Sequence, residues 1–173
     1  NGRPDSFRGR TQEDEERRQY VFDSIATQEI LQQHLLGQLN QTALNADDRK
    51  TAEVIIGNID DSGFLQSSPE DMSMNTGIAQ EEFENMLTLV QSFYPPGVGA
   101  QDLRECLLIQ LKREGRQSSL EYKIISDHML DLGKRRFPEI ARKMGLNAEQ
   151  VQKCANNIAQ LDPRPGQIFA EAP

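Results

Sequence analysis

Apolar residues recur every three or four positions along most of the chain, a spacing that predicts amphipathic α-helices. Between residues 27 and 39, with Thr27 as the N-cap, this spacing gives one apolar face formed by Ile30, Leu31, Leu35 and Leu39. The same spacing predicts further helices over residues 46–59, 69–76, 79–93, 101–114, 118–132, 138–144 and 147–161. No segment alternates apolar and polar residues as a strand does, so the predicted fold class is all-α.

Helix breakers and capping residues indicate where the predicted helices begin and end. Ser68 followed by Pro69 is a strong start signal, because serine caps the first turn and proline fits the first helical position. Residues 60–63 read Asp-Asp-Ser-Gly and predict a turn, after which Phe64 returns toward the core. Gly145 is expected to end one helix, and Asn147 is expected to cap the next.

Two stretches of the chain resemble each other. Residues 77–95 align with residues 145–163, and apolar positions coincide, for example Phe83 with Val151. Each stretch follows a short helix, begins at the glycine that ends it and continues as a longer helix into proline, which is typical of a helix-turn-helix-like unit. We therefore predict two small helical subdomains, residues 27–115 and residues 116–173, the second containing the helix-turn-helix-like unit.

Residues 1–26 differ from the rest of the chain. They mix glycine, proline and charges of both signs with few apolar residues. Such a composition buries too little apolar surface to offset the entropy of ordering, so we predict a flexible linker. Part of residues 12–25 could become helical against a partner.

The overall charge restricts the kind of partner. The 173 residues carry a formal net charge of -8, which argues against an autonomous nucleic-acid-binding protein and fits a basic partner surface. A local basic cluster nevertheless precedes and enters the second helix-turn-helix-like unit; it consists of Lys134, Arg135, Arg136, Arg142 and Lys143. Two alternatives to protein docking remain: duplex reading by residues 147–161, or contact of this cluster with nucleic acid held mainly by a partner.

Binding motifs for small ligands are incomplete. Gly97-Val98-Gly99 precedes a helix, but a dinucleotide fingerprint needs a strand before it and a third glycine where Asp102 stands. Residues 58–69 begin like a calcium loop, but Pro69 occupies the position of the bidentate glutamate. We therefore expect the protein to bind no nucleotide, no metal ion and no other cofactor.

Catalytic and membrane roles are also disfavoured. His34 and His128 belong to no catalytic constellation, so we expect no enzyme activity. Cys106 and Cys154 fall at apolar helix positions and are predicted to be buried thiols. No signal-peptide pattern and no apolar run of membrane-spanning length is found, so a cytoplasmic protein without a membrane partner is expected. The chain is expected to be a piece of a longer protein.

Five segments, in order, resemble one protein family. They are TQEILQQHLLGQL (27–39), IIGNIDDSGFL (55–65), FYPPGVGAQDLRECLLIQL (93–111), KRRFPEIARKMGL (134–146) and LDPRPGQIF (161–169). Together they are similar to the central region of bacterial sigma-54, the nitrogen-type sigma factor of RNA polymerase. The resemblance implies the core-binding domain, in which two helical subdomains dock onto the polymerase core and the helix-turn-helix-like unit is not the main promoter reader.

The resemblance also implies what the whole factor does. Such a factor directs the bacterial core polymerase to promoters and holds a closed complex until an ATP-driven activator remodels it. The region that answers the activator and the region that recognises promoter DNA are expected to be missing from this sequence. Residues 1–26 resemble the end of the family's acidic linker.

Contact residues for the polymerase core are predicted from exposed charge and from apolar anchors in both subdomains. They are Leu31, Leu35, Phe64, Arg104, Arg113, Arg135, Arg136 and Arg142. Two stiff corners are predicted where proline and glycine cluster, and they orient the helices and the chain exit. They comprise Pro95, Pro96, Gly97, Gly99, Pro163, Pro165 and Gly166.

Overall fold

Helices form nearly all the regular structure of the computed structural model, which describes residues 11–170. They are α1 (Gln12–Asn40), α2 (Ala46–Gly57), α3 (Pro69–Thr76), α4 (Gln80–Val90), α5 (Leu103–Arg113), α6 (Leu120–Asp127), α7 (Met129–Gly133), α8 (Phe137–Met144), α9 (Ala148–Ile158) and a 3₁₀ helix (Pro165–Phe169). Within residues 11–170 there is no β-strand, only isolated bridges, so the all-α prediction is confirmed. None of the helices described has both the length and the apolar character needed to cross a membrane.

The first helix is longer than the sequence pattern predicts. It begins after Thr11, whose side chain caps the backbone N–H of Asp14 at 3.3 Å, and acidic residues follow in the first turn. Thr27, the predicted cap, lies inside α1 and donates its hydroxyl to the Asp23 carbonyl at 2.8 Å. Residues 12–26 are therefore helical rather than a flexible linker, because a capped first turn and good helix formers outweigh the scarcity of apolar residues. Residues 1–10 of the predicted linker lie outside the described residues.

Most predicted helix ends match the structure. Ser68 caps Asp71 at 3.1 Å ahead of Pro69, and Asn147 forms a reciprocal capping box with Gln150. Gly77 ends α3 and Gly145 ends α8, and both adopt left-handed backbone conformations, with φ of 77° and 68°.

One predicted helix is divided. Residues 118–132 form α6 and α7, which are separated at His128, and the N-cap of α6 is Ser119. The carbonyl of Ser126, near the end of α6, accepts two hydrogen bonds from the Arg104 guanidinium, at 3.1 and 2.9 Å. The prediction of one continuous helix is therefore wrong, because the backbone leaves the helical conformation at His128, with φ of -131° and ψ of 29°.

The buried side chains form two hydrophobic cores. The first lies among α1, α2, α3 and α4 and includes Phe83, Ile55 and Val98. The second lies among α5, α6, α8 and α9 and includes Leu111, Ile124 and Val151. Since α5 contributes to the second core, the two cores divide the chain before α5, whereas the sequence placed the boundary near residue 115.

The segment after α9 returns to the first core. Pro165 and Gly166 are buried, and the backbone N–H of Gly166 donates to the Ser62 carbonyl at 2.9 Å. Phe169 packs against the first core, with its ring 5.1 Å from that of His34 on α1. The last described residues therefore lie beside α1 and the first core, although the helix before them, α9, belongs to the second core.

Candidate functional site

The glycine-rich corner before α5 is tightly packed. Gly97 and Gly99 have φ of 94° and 80°, a region that other residues rarely adopt. A Cβ on Gly97 would lie 2.7 Å from the Cys106 sulfur and 3.0 Å from the Gln110 side-chain nitrogen. Pro95 is buried and Pro96 is half-buried beside them. These close contacts hold the corner directly against Cys106 and Gln110 of α5.

Two side chains of α5 tie the corner to the exit segment. The buried amide of Gln110 donates to the Asp162 carbonyl at 2.6 Å and accepts from the Asp162 N–H at 2.9 Å. The Cys106 thiol also approaches the Asp162 carbonyl, at 3.7 Å. Pro163 itself is exposed, whereas Pro165 and Gly166 lie against the turn at residues 60–63. The two predicted corners are therefore linked through α5 and that turn.

Four predicted contact residues have roles inside the protein. Leu31 and Leu35 have no exposed surface and fill the first core, which removes them from any docking surface. Arg113 donates to the carbonyls of Gln91 and Phe93, the latter at 2.6 Å, and burial lowers the pKa of its guanidinium. Arg104 is likewise engaged with α6. Burial overturns the assignments of Leu31 and Leu35, whereas Arg104 and Arg113 are exposed and their assignment as polymerase contacts stays a prediction.

The turn that resembles a calcium loop is closed by its own backbone. The Asp60 carboxylate accepts from the N–H groups of Ser62 and Phe64, at 3.0 and 2.9 Å, and from the Gln66 amide at 2.7 Å. Within residues 11–170, no group of three or more candidate ligand side chains could hold a metal ion. Phe64 is half-buried, and the Ser24 hydroxyl joins this turn to α1 through Asp61 at 2.7 Å.

Four exposed apolar residues on α1 were missed as contact candidates by the sequence reasoning. Tyr20 and Phe22 are 68% and 67% exposed, and Val21 and Ile25 are 55% and 52% exposed. We call these four residues the α1 patch. They lie in the half of α1 that precedes Leu31, its first member of the first core. The signal in the sequence was a cluster of large apolar residues inside a segment otherwise rich in charge, which the linker interpretation discounted.

The basic cluster is divided between paired and unpaired charges. Arg142 forms an ion pair with Glu139, and Lys143 forms one with Asp131 at 2.8 Å. Lys134, Arg135 and Arg136 are exposed, and the described part of the chain offers them no ion pair or side-chain hydrogen bond. We call residues 134–136 the basic segment.

Comparison with known proteins gives a consistent result. The family model described as sigma-54 factor, core binding domain, matches residues 21–173. The RNA polymerase sigma-54 factor of Escherichia coli (strain K12) is 37% identical over 159 residues, which cover 86% of this chain and 33% of that protein. The protein of the same name from Acidithiobacillus ferridurans is 36% identical over 141 residues, covering 79% of this chain and 30% of the relative. The chain thus spans about a third of the length of these curated relatives.

Proposed function

The chain belongs to the sigma-54 factor family and corresponds to its core-binding domain, and we propose that it docks a sigma factor of this type onto the RNA polymerase core. The observation that carries this proposal is the match of the core-binding family model to residues 21–173. Docking is a binding role without catalysis. A docking role agrees with a helical scaffold in which polar side chains such as Arg104, Gln110 and Arg113 bind backbone carbonyls of neighbouring segments.

We further propose that promoter-specific, activator-dependent initiation is the role of the whole factor. The chain spans about a third of its relatives, so sequence-specific contacts with promoter DNA and contacts with an ATP-driven activator are assigned to the remainder of such a protein. A regulator that reads DNA through α9 was the alternative from the sequence. The comparisons do not favour it, because the matched relatives are sigma factors.

The α1 patch is the proposed contact surface for the polymerase core. Interfaces depend on a few large apolar or aromatic anchors surrounded by polar residues, and the α1 patch supplies Val21, Phe22 and Ile25 on one side of α1 among charged neighbours, with Tyr20 on another side. Phe64 stays in the proposed surface because it is half-buried and the Ser24–Asp61 hydrogen bond holds its turn beside α1. None of these residues is needed to fill either core.

Equilibrium binding of the labelled chain to sigma-free polymerase core tests the proposal. The double variant F22D/I25D places charge on the α1 patch, and we expect its affinity to fall about 30-fold or more, as for anchor residues worth about 2 kcal/mol. Met74→Asp and Leu130→Asp are matched controls, because these side chains are 78% and 81% exposed on other helices. We expect both controls to bind like the parent chain.

The outcomes separate the function from the surface. If the parent chain binds the core and F22D/I25D binds equally well, the α1 patch is not the docking surface. If the parent chain does not bind the core at all, the docking function itself is wrong. Circular dichroism of each variant verifies that its helices remain.

A further inference from the structure

The basic segment is a localised positive charge on an acidic chain. Residues 134–136 carry three exposed cations, while the chain as a whole has a formal net charge of -8. Asp131 pairs with Lys143 and Glu139 pairs with Arg142, and Arg136 also lies close enough to Asp131 to lower the pKa of that carboxyl, so the acidic neighbours only partly offset the cations. A polyanion would therefore meet a net positive charge at this place and repulsion over much of the remaining surface.

The backbone of the basic segment supports a role for its side chains. Arg135 has a φ of 54°, and it is the non-glycine residue with positive φ within residues 11–170. Glycine or asparagine adopts this conformation with less strain, as Gly77 and Gly145 do at the ends of α3 and α8. The Arg135 side chain is exposed at the junction of α7 and α8, and no hydrogen bond or ion pair within the described residues involves its guanidinium.

The adjoining helices indicate the chemistry of the partner. Among the described residues, α7 exposes one large apolar side chain, Leu130, whereas neither α8 nor α9 exposes any that could anchor a protein interface. The exposed side of α9 carries hydrogen-bonding groups, from Gln152, Lys153 and Asn156. A polar surface beside unpaired arginines fits a hydrated polyanion better than a protein surface, since guanidinium groups bind phosphate oxygens in a bidentate manner.

We propose that the basic segment contacts the phosphate backbone of duplex DNA without reading its sequence. Arg135 and Arg136 supply the phosphate contacts, and Lys134 adds to the attraction. The contact is independent of the docking proposal, because it uses different residues and is measured without polymerase. In an assembled complex, docking would raise the local DNA concentration around this weak site.

Salt dependence of binding provides the test. The complete 173-residue chain is titrated into fluorescein-labelled duplex DNA of arbitrary sequence, from about 0.01 M salt upward, where the Debye length is about 30 Å. Because each neutralised phosphate contributes about 0.9 to the slope of log affinity against log salt, R135Q/R136Q should lower that slope by about 2. R135K/R136K retains both charges and should retain the slope.

A matched arginine pair controls for net charge. Arg17 and Arg18 are also adjacent and exposed, so R17Q/R18Q changes the total charge equally but should leave the slope unchanged. Arg135→Gly relieves the positive-φ conformation while removing one guanidinium. We expect this variant to remain folded and to lose about 1 from the slope.

Three results would overturn the inference. One is that the parent chain fails to bind duplex DNA even at about 0.01 M salt. Another is an equal loss of slope in R17Q/R18Q, which would reveal only a general charge effect. The third is that R135Q/R136Q binds DNA normally but binds DNA-free polymerase core weakly, which would assign the basic segment to an acidic protein surface. Failure of the parent chain to bind core affects only the docking proposal.

Discussion

Replacing Gly166 by alanine tests how firmly the exit segment is held against the first core. A Cβ at this position would lie 2.2 Å from the Asp61 carbonyl oxygen and 2.9 Å from the Ser62 carbonyl carbon. Ordinary contacts begin near 3.4 Å, so the backbone of the turn or of the exit segment must move by about an ångström. Backbone atoms on both sides leave no flexible side chain to absorb the overlap.

The expected cost follows from the contacts that the exit segment would lose by undocking. The hydrogen bond from Gly166 to Ser62 contributes about 1 kcal/mol, and burial of Pro165 with part of Phe169 contributes about 2 kcal/mol. Release of the segment recovers conformational entropy, which offsets part of this loss. We therefore expect Gly166→Ala to lower the free energy of unfolding by about 2 kcal/mol, or Tm by about 4–8 °C.

Thermal unfolding and the NMR signals of His34 measure the two parts of this prediction. The His34 ring lies 5.1 Å from the Phe169 ring, so undocking removes a ring-current contribution to its chemical shifts. Gly57→Ala is the control, because a Cβ there meets nothing within 4 Å at the end of α2. Alanine favours the helix, so this control should keep or slightly raise Tm.

Unchanged Tm together with unchanged His34 shifts in Gly166→Ala would refute the reasoning, because it would mean that the turn accommodates a methyl group freely. A fall in Tm with unchanged His34 shifts would place the strain in the turn while the exit segment stays docked. Only a fall in Tm with shifted His34 signals supports undocking.

Two further predictions concern titratable groups. Burial alone would raise the pKa of Glu121, but hydrogen bonds from Asn157 and from the backbone, with the charge of Arg116, lower it below its usual value. Glu121→Gln should therefore reduce stability by about 1 kcal/mol at neutral pH, and in chemical denaturation this difference should shrink as pH falls below 4.5, as the folded carboxylate is protonated. Burial raises the pKa of the Cys106 thiol to about 11, so it should react with a disulfide reagent at pH 8 far more slowly in the native chain than after denaturation. Equal rates would contradict its burial.

Local signals explain why so many helix ends could be predicted. A cap such as Ser68 acts on an N–H three residues away, and a glycine such as Gly145 needs only its own backbone freedom. These effects depend on neighbours in sequence, so they are visible in the sequence. The all-α fold class follows from the same short-range information, repeated along the chain.

Long-range packing explains what could not be predicted. The apolar side of α5 could face either core, and nothing within residues 101–114 indicates that Leu107 and Leu111 pack against α6. The extension of α1 was missed for a different reason. Its apolar residues, including Phe22, are exposed and belong to neither core. The scarcity of apolar residues in residues 1–26 therefore suggested a linker, although the local helix propensity was adequate.

Arg104 and Arg113 show that a structural role for a charged residue can leave a signal elsewhere in the sequence. Neither α4 nor α6 has a basic residue in its last turn, so nothing nearby in sequence complements the carbonyl groups at those ends. Arg113 supplies donors to the carbonyls that follow α4, and Arg104 supplies donors to a carbonyl at the end of α6. Where a helix end has no cation of its own, an arginine on an adjacent helix can supply the donors, and this structural role is weighed before a partner is invoked. By that criterion the basic segment stands apart, since no helix end in the described chain uses its guanidinium groups.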